Sequence, residues 1–247
     1  VKQARVIREL LAAGVQRFKC ATLPELRLLD TLARDHTGHD PLDILLAYPT
    51  TAAARASLDN TPLHPKSRVS LLADSPSHLR DLTRWSQQSQ GAWGVFFDVD
   101  VGMHRTGTPP AGWSAPELLT ALPPGLTFRG LHGYDGHHRS TDRALAHSAY
   151  NSLVELARSL GLQRTHAVIT SGTHSYEHAL SHEALGAGQW QQEVSPGTIV
   201  LSDLRSAPAA EQLGLRQAVF VAARVVSVGA GRVTLDAGSK GLNPDVR

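Results

Sequence analysis

Sulfur is almost missing from this sequence: 247 residues contain one cysteine and one methionine. A lone Cys20 cannot close an internal disulfide, and no cysteine cluster with zinc spacing exists. Aromatic residues make up 5% and charged residues 19% against 41% hydrophobic, which is the balance of a folded domain and not of a disordered chain. Neither sign of charge dominates, with 24 Lys and Arg against 22 Asp and Glu. No basic run is interleaved with aromatics, so a nucleic-acid partner is not expected. No apolar stretch nears the roughly 20 residues that cross a bilayer, and the N-terminus lacks a signal-peptide profile. The expectation is a cytoplasmic protein with no membrane partner.

Short apolar runs alternate with helical patterns. Strands are expected at 17–21, 43–47, 68–73, 93–99, 127–132, 166–170 and 192–195. Helices are expected at 23–34, 51–58, 76–87, 115–122, 142–160 and 176–185. The strand spacing of about 25 residues suits βα units of a parallel sheet. A helix already begins near Val6, before any strand, which implies one further strand upstream and so an α/β fold with the eight strands of a (β/α)8 TIM-type barrel. A doubly wound open sheet is the runner-up, but no strand is followed by its GxGxxG fingerprint. Residues 1–205 are read as the barrel. Residues 206–247 hold two β-branched runs, 218–228 and 232–235, around a glycine-rich turn, and read as the beginning of a β-rich second domain. Both ends read as cuts through a longer protein.

Loops at the C-terminal ends of barrel strands build active sites. After the fourth expected strand comes DVDVGMHRTG, where Arg105 either holds an anionic oxygen with its fork of donors or sits in a solvated turn closed by glycines. After the fifth comes LHGYDGHH, which gathers His132, Tyr134, Asp135, His137 and His138. Metal binding and acid–base work both remain open there. The last two strand ends carry TSGT and SPGT. Ser171, Gly172 and Thr173, with Gly197 and Thr198, are small residues whose backbone N–H groups can close on a phosphate, unless they form two plain turns. His174 and His178 have metal-ligand spacing but no evident third ligand, and Cys20 reads as a packed core thiol.

Six segments in this order, AGVQRFKCATLPEL, DILLAYP, DVDVGMHRTG, GLHGYDGH, TSGTHSY and VSPGTIVLSDLR, resemble the D-threonine aldolase and D-serine dehydratase-like proteins. The resemblance implies the alanine racemase-type (fold type III) barrel that binds pyridoxal 5′-phosphate (PLP). It implies a phosphate cup from Ser171, Gly172, Thr173, Gly197 and Thr198, and Arg105 near the cofactor's phenolic oxygen. It places His132 and Tyr134 as catalytic residues, with His137 beside the cofactor. The implied activity is a PLP-dependent lyase on D-3-hydroxy amino acids, cleaving them to glycine and an aldehyde. D-serine dehydration and amino acid racemisation are its sister reactions, and a non-catalytic PLP carrier is the alternative outside enzymes. A homodimer is implied, as is a divalent metal, zinc or manganese, whose ligands lie outside this chain. The family's Schiff-base lysine lies at the end of the first barrel strand. Counted without gaps from Gly14, it falls three residues before Val1, and Lys2 takes the place of a second, neighbouring lysine. The chain is thus expected to carry the cofactor cradle without its covalent anchor, and to be inactive alone.

Overall fold

The structure, a computed structural model, describes residues 3–35, 42–115, 117–120, 122–202 and 214–238. Lys2 lies outside them. Two compact units divide at Gly197 and Thr198.

The first unit alternates helices and strands: α1 (Ala4–Ala12), β1 (Arg17–Cys20), α2 (Leu23–Asp35), β2 (Leu42–Leu46), α3 (Ala52–Asp59), β3 (Ser67–Ala73), α4 (Pro76–Ser86), β4 (Trp93–Asp98), α5 (Glu117–Thr120), β5 (Leu126–Gly133), α6 (Arg143–Ser159), β6 (Ala167–Thr170), α7 (Tyr176–Leu180) and β7 (Gln191–Val194). Local chemistry sets the boundaries. Thr51 and Ser75 cap α3 and α4 by accepting from the backbone N–H of Ala54 and His78. Gly14 and Gly161 follow α1 and α6 with positive φ, a conformation that costs glycine little. The helix expected to reach residue 185 ends at Leu180, where Ser181 turns back to bond the His178 carbonyl. Only Glu117–Thr120 of the helix expected at 115–122 is helical among the described residues.

The seven strands pair in sequence order and all in parallel. Neighbouring strands lie about 4.8 Å apart, so in a flat sheet β1 and β7 would stand roughly 29 Å from each other. Yet Arg17 Nη1 of β1 lies 2.7 Å from Glu193 Oε1 of β7, and its Nη2 donates to Gln191 Oε1 at 2.9 Å. The sheet is therefore curled, as a barrel requires. Seven strands of the expected eight are present, and among the described residues none pairs with the outer edge of β1 or β7.

Outward-facing side chains such as Phe18, Cys20, Leu71, Phe97 and Val168 pack with the helices into the main core. A smaller apolar cluster, Leu45, Leu72, Phe96, Ala167 and Ile169, forms from strand residues alone. The ion pair Arg129–Asp43 joins β5 to β2, two strands that are not neighbours, so it must cross the concave face. At Gly130 the β4–β5 register slips. Its φ is 134°, and a Cβ there would meet the Ala167 carbonyl oxygen, so only glycine fits.

The second unit carries an antiparallel hairpin, β8 (Val225–Gly229) and β9 (Arg232–Leu235). Asp236 closes it, since its carboxylate and backbone N–H bond the backbone of Arg224. The strand expected from 218 starts only at Val225. No helix of the described residues is long and apolar enough to cross a membrane.

Candidate active site

Polar side chains from non-adjacent strands meet at the C-terminal end of the curled sheet. Asp98 closes β4 and His132 lies near the end of β5, and the curl turns both onto the concave face. His132 Nδ1 is 2.7 Å from Asp98 Oδ1, and both side chains are buried. The pairing fixes a tautomer, with Nδ1–H donating to the carboxylate and Nε2 left as acceptor. That acceptor takes a hydrogen bond from Lys19 Nζ of β1 at 3.0 Å, and Lys19 also donates to Ser195 Oγ at 2.9 Å. Burial, then the positive charge of Lys19, push the His132 pKa down to about 4, against the opposing pull of Asp98. Near neutral pH the imidazole is uncharged.

Tyr134, two residues on, is half-buried and lies between two cations. Arg105 stands 4.8 Å from its ring centroid and Lys19 Nζ 5.2 Å. The Arg105 loop is closed by Asp100, whose Oδ1 accepts from the N–H groups of Gly102 and His104 while Oδ2 bonds the His104 ring at 2.8 Å. Gly107 has φ 92°, and a Cβ there would come within 2.9 Å of the Asp98 carbonyl. Asp100 and the glycines make the turn of the first reading, and that turn presents Arg105 to Tyr134.

Behind Tyr134 lies the loop after β6. A Cβ on Gly172 would meet the tyrosine ring at 3.4 Å. Ser171 and Thr170 are fully buried, Thr173 half-buried, and Ser171 adopts φ 64°. The hydroxyls of Thr170 and Ser171 have no hydrogen-bond partner. The loop is pinned from below, where Gly172 N–H donates to Ser175 Oγ, which donates to the buried Asp135 carboxylate. Gly197 ends the first unit with open space around its α-carbon, while Thr198 begins the second unit in a 3-10 turn.

Of the expected site residues, the structure brings together Arg105, His132, Tyr134 and the 171–173 loop. His137 turns elsewhere: it is exposed, packs on His138 at 3.9 Å and lies near Gly102. His138 is buried with an unpartnered Nε2, and its pKa is lowered by burial and by His137. His174 precedes α7, so it shares no helix face with His178, whose Nε2 bonds the Arg139 carbonyl. Among the described residues no group of three or more His, Cys, Asp or Glu side chains could hold a metal ion. The sequence reading passes over Lys19. Its signal is a charged residue in the alternating strand RFKC, between two buried positions.

The family model of the alanine racemase N-terminal domain matches residues 1–203. The chain belongs to that family. The curled sheet is accordingly the fold type III barrel of PLP enzymes. Among solved structures, this racemase-type barrel is similar to D-threonine aldolase from Filomicrobium marinum, with a TM-score of 0.78 and 22% identity, covering 99% of this chain and 66% of that one. It is also similar to D-threo-3-hydroxyaspartate dehydratase from Delftia sp. HT23, with a TM-score of 0.62 and 18% identity over 98% of this chain and 69% of that one. Among curated proteins, D-serine dehydratase of Dictyostelium discoideum is 29% identical over 38% of this chain and 26% of its own length. The chain thus spans about a quarter of that curated relative.

Proposed function

We propose that this barrel serves a PLP-dependent lyase acting on D-3-hydroxy amino acids, with retro-aldol cleavage to glycine and an aldehyde as its reaction. The observation that carries the reading is the meeting of Arg105, Tyr134, His132 and Lys19 at the strand ends, beside the 171–173 loop. The chemistry of these residues fits PLP. The cations suit an anionic ring, Tyr134 offers a flat apolar face, and the loop joins unpartnered hydroxyls to a glycine of close approach.

When bound, PLP supplies an electron sink for a carbanion next to the amino acid nitrogen. The chain orients and holds charge. Ser171, Gly172, Thr173 and Gly197 would receive the phosphate, and Asp135 keeps the 171–173 loop in place through Ser175. Arg105 would hold the charge of the phenolic oxygen, and Tyr134 would offer its face to the ring. His132 stays uncharged, so it accepts a hydrogen bond at Nε2 and adds no third cation. His137, exposed and packed on His138, takes no part in this cluster. A divalent metal near the β-hydroxyl would take its ligands from outside this chain, and the working unit is a homodimer.

D-Serine dehydration is the second reading, favoured by the identity to the Dictyostelium enzyme. The test is to offer D-threonine and D-serine separately to the PLP-treated full-length protein that carries this barrel. Glycine with acetaldehyde supports the aldolase reading, and pyruvate with ammonia the dehydratase. Racemised alanine, with neither of those products, overturns both.

A further inference from the structure

His78 lies outside the cluster around Tyr134, and the proposed function gives it no task. It is the third residue of α4, where its backbone N–H donates to the capping Ser75 hydroxyl. Its side chain is mostly buried, and each ring nitrogen faces one acceptor and one donor. Nδ1 lies 3.1 Å from Asp74 Oδ1 and 3.4 Å from the Asp74 backbone nitrogen. Nε2 lies 3.1 Å from the Thr50 carbonyl and 3.3 Å from Arg55 Nη1. A neutral imidazole in either tautomer closes one bond at each nitrogen, and so joins the end of β3 to the turn that opens α3. Both sides lead to Arg105. The Asp74 carbonyl accepts from the hydroxyl of Thr108, three residues past Arg105, at 2.7 Å. Thr50 stands two residues past Tyr48, whose ring lies 6.0 Å from the Arg105 guanidinium, with Tyr134 at 4.8 Å. A proton on His78 upsets this arrangement, because both nitrogens become donors and a second cation then stands 3.3 Å from Arg55. Arg55 is buried, its Nε has no hydrogen-bond partner, and its Nη1 already donates to the Thr50 carbonyl at 2.6 Å. The carboxylate that acts on Arg55 is Asp81 of α4, which is exposed and bonded to Arg84. Asp74 stands at the other nitrogen, so charge draws the ring toward Asp74 and away from Arg55 and Thr50.

We propose that His78 is a positioning residue for Arg105: when neutral it clasps the loops after β2 and β3, and its protonation releases the Thr50 side. The consequence for cofactor binding rests on the PLP reading of the site. The clasp itself does not.

The test is NMR on the whole chain without ligand, wild type and His78→Gln, from about pH 8 to about pH 5. The side-chain protons of Arg105 carry a ring-current shift from Tyr134 and Tyr48, and that shift reports how close the rings lie. The His78 ring is followed in the same spectra. The expected result is an Arg105 shift that is lost as His78 takes up its proton, with one midpoint for both signals. Glutamine keeps a donor and an acceptor but has no proton to gain, so His78→Gln should hold the Arg105 shift across the series. A His78 ring that gains no proton, or an Arg105 signal that stays fixed while it does, overturns the proposal. So does a pH response of Arg105 that survives in His78→Gln. PLP added to the same samples separates the two claims, since its affinity should fall further with acid in the wild type than in His78→Gln. If Arg105 follows His78 but PLP binds at no pH, the clasp stands and the PLP reading falls.

Discussion

Asp135 is fully buried and receives two short hydrogen bonds, from Tyr150 Oη at 2.5 Å and Ser175 Oγ at 2.7 Å. Burial and the neighbouring Asp135 charge raise the Tyr150 pKa, so the phenol stays protonated as the donor. Removing that donor leaves a buried carboxylate oxygen short of a partner. Tyr150→Phe is therefore expected to cost about 1–3 kcal/mol in a urea titration. It should also weaken PLP binding through Ser175 and Gly172; unchanged stability would show that Asp135 is satisfied in another way. Two glycines separate packing from ligand contact. Gly172→Val pushes on the Tyr134 ring, whereas Gly197→Val enters open space. The expected result is PLP affinity reduced in both, with stability reduced only in the first. Full PLP affinity in both would remove the phosphate assignment. Cys20 was legible from its apolar strand and lies in the core. Lys19 was not, because its partners come from β5 and beyond β7, and only the curl of the sheet brings them to it.

At the scale of elements, strand positions were readable because short runs with buried apolar residues alternate with helical patterns. The run expected at 93–99 is β4 (Trp93–Asp98), and that at 192–195 is β7 (Gln191–Val194). What the sequence could not show is where a pattern loses its tertiary support. The run 218–228 is apolar but for Arg224 and Ser227, yet only from Val225 does a partner strand face it. Likewise, the helical pattern after Tyr176 breaks at Ser181, where a local hydrogen bond replaces the helical one. The β4–β5 slip was equally hidden. At Gly130 an alanine Cβ would collide with the backbone of β6, so Gly130→Ala should cost on the order of 4 kcal/mol or more. Gly161→Ala, with similarly positive φ but open space, should cost about 1 kcal/mol. Equal losses in thermal unfolding would mean that backbone conformation, and not the contact with Ala167, decides both.

For the molecule as a whole, histidines withdrawn from water set the acid limit of the first unit. Burial lowers the pKa of His132, His138, His166 and His182. For His132 the fall is from 6.5 to about 4. Between those values the unfolded chain binds a proton that the folded chain does not, so stability rises with pH across that window. Its contribution is complete above pH 6.5 and is lost as the pH falls toward 4. The size is about 3 kcal/mol for His132 alone. Denaturation measured from pH 7 to 4 should show this slope, and a flat profile would mean that His132 is not buried in the neutral form. The barrel itself was legible from the alternation of elements, and the loops proposed to receive the phosphate from small residues at strand ends. The polar network on its concave face was not, since it depends on contacts between strands that are not neighbours. The central claim is that the strand ends around Tyr134 hold PLP. A crystal structure of the chain grown with PLP tests it most directly. The account places the phosphate at Ser171, Gly172, Thr173 and Gly197, with the ring against Tyr134 and its phenolic oxygen toward Arg105. PLP bound elsewhere, or this site vacant at saturating PLP, would contradict it.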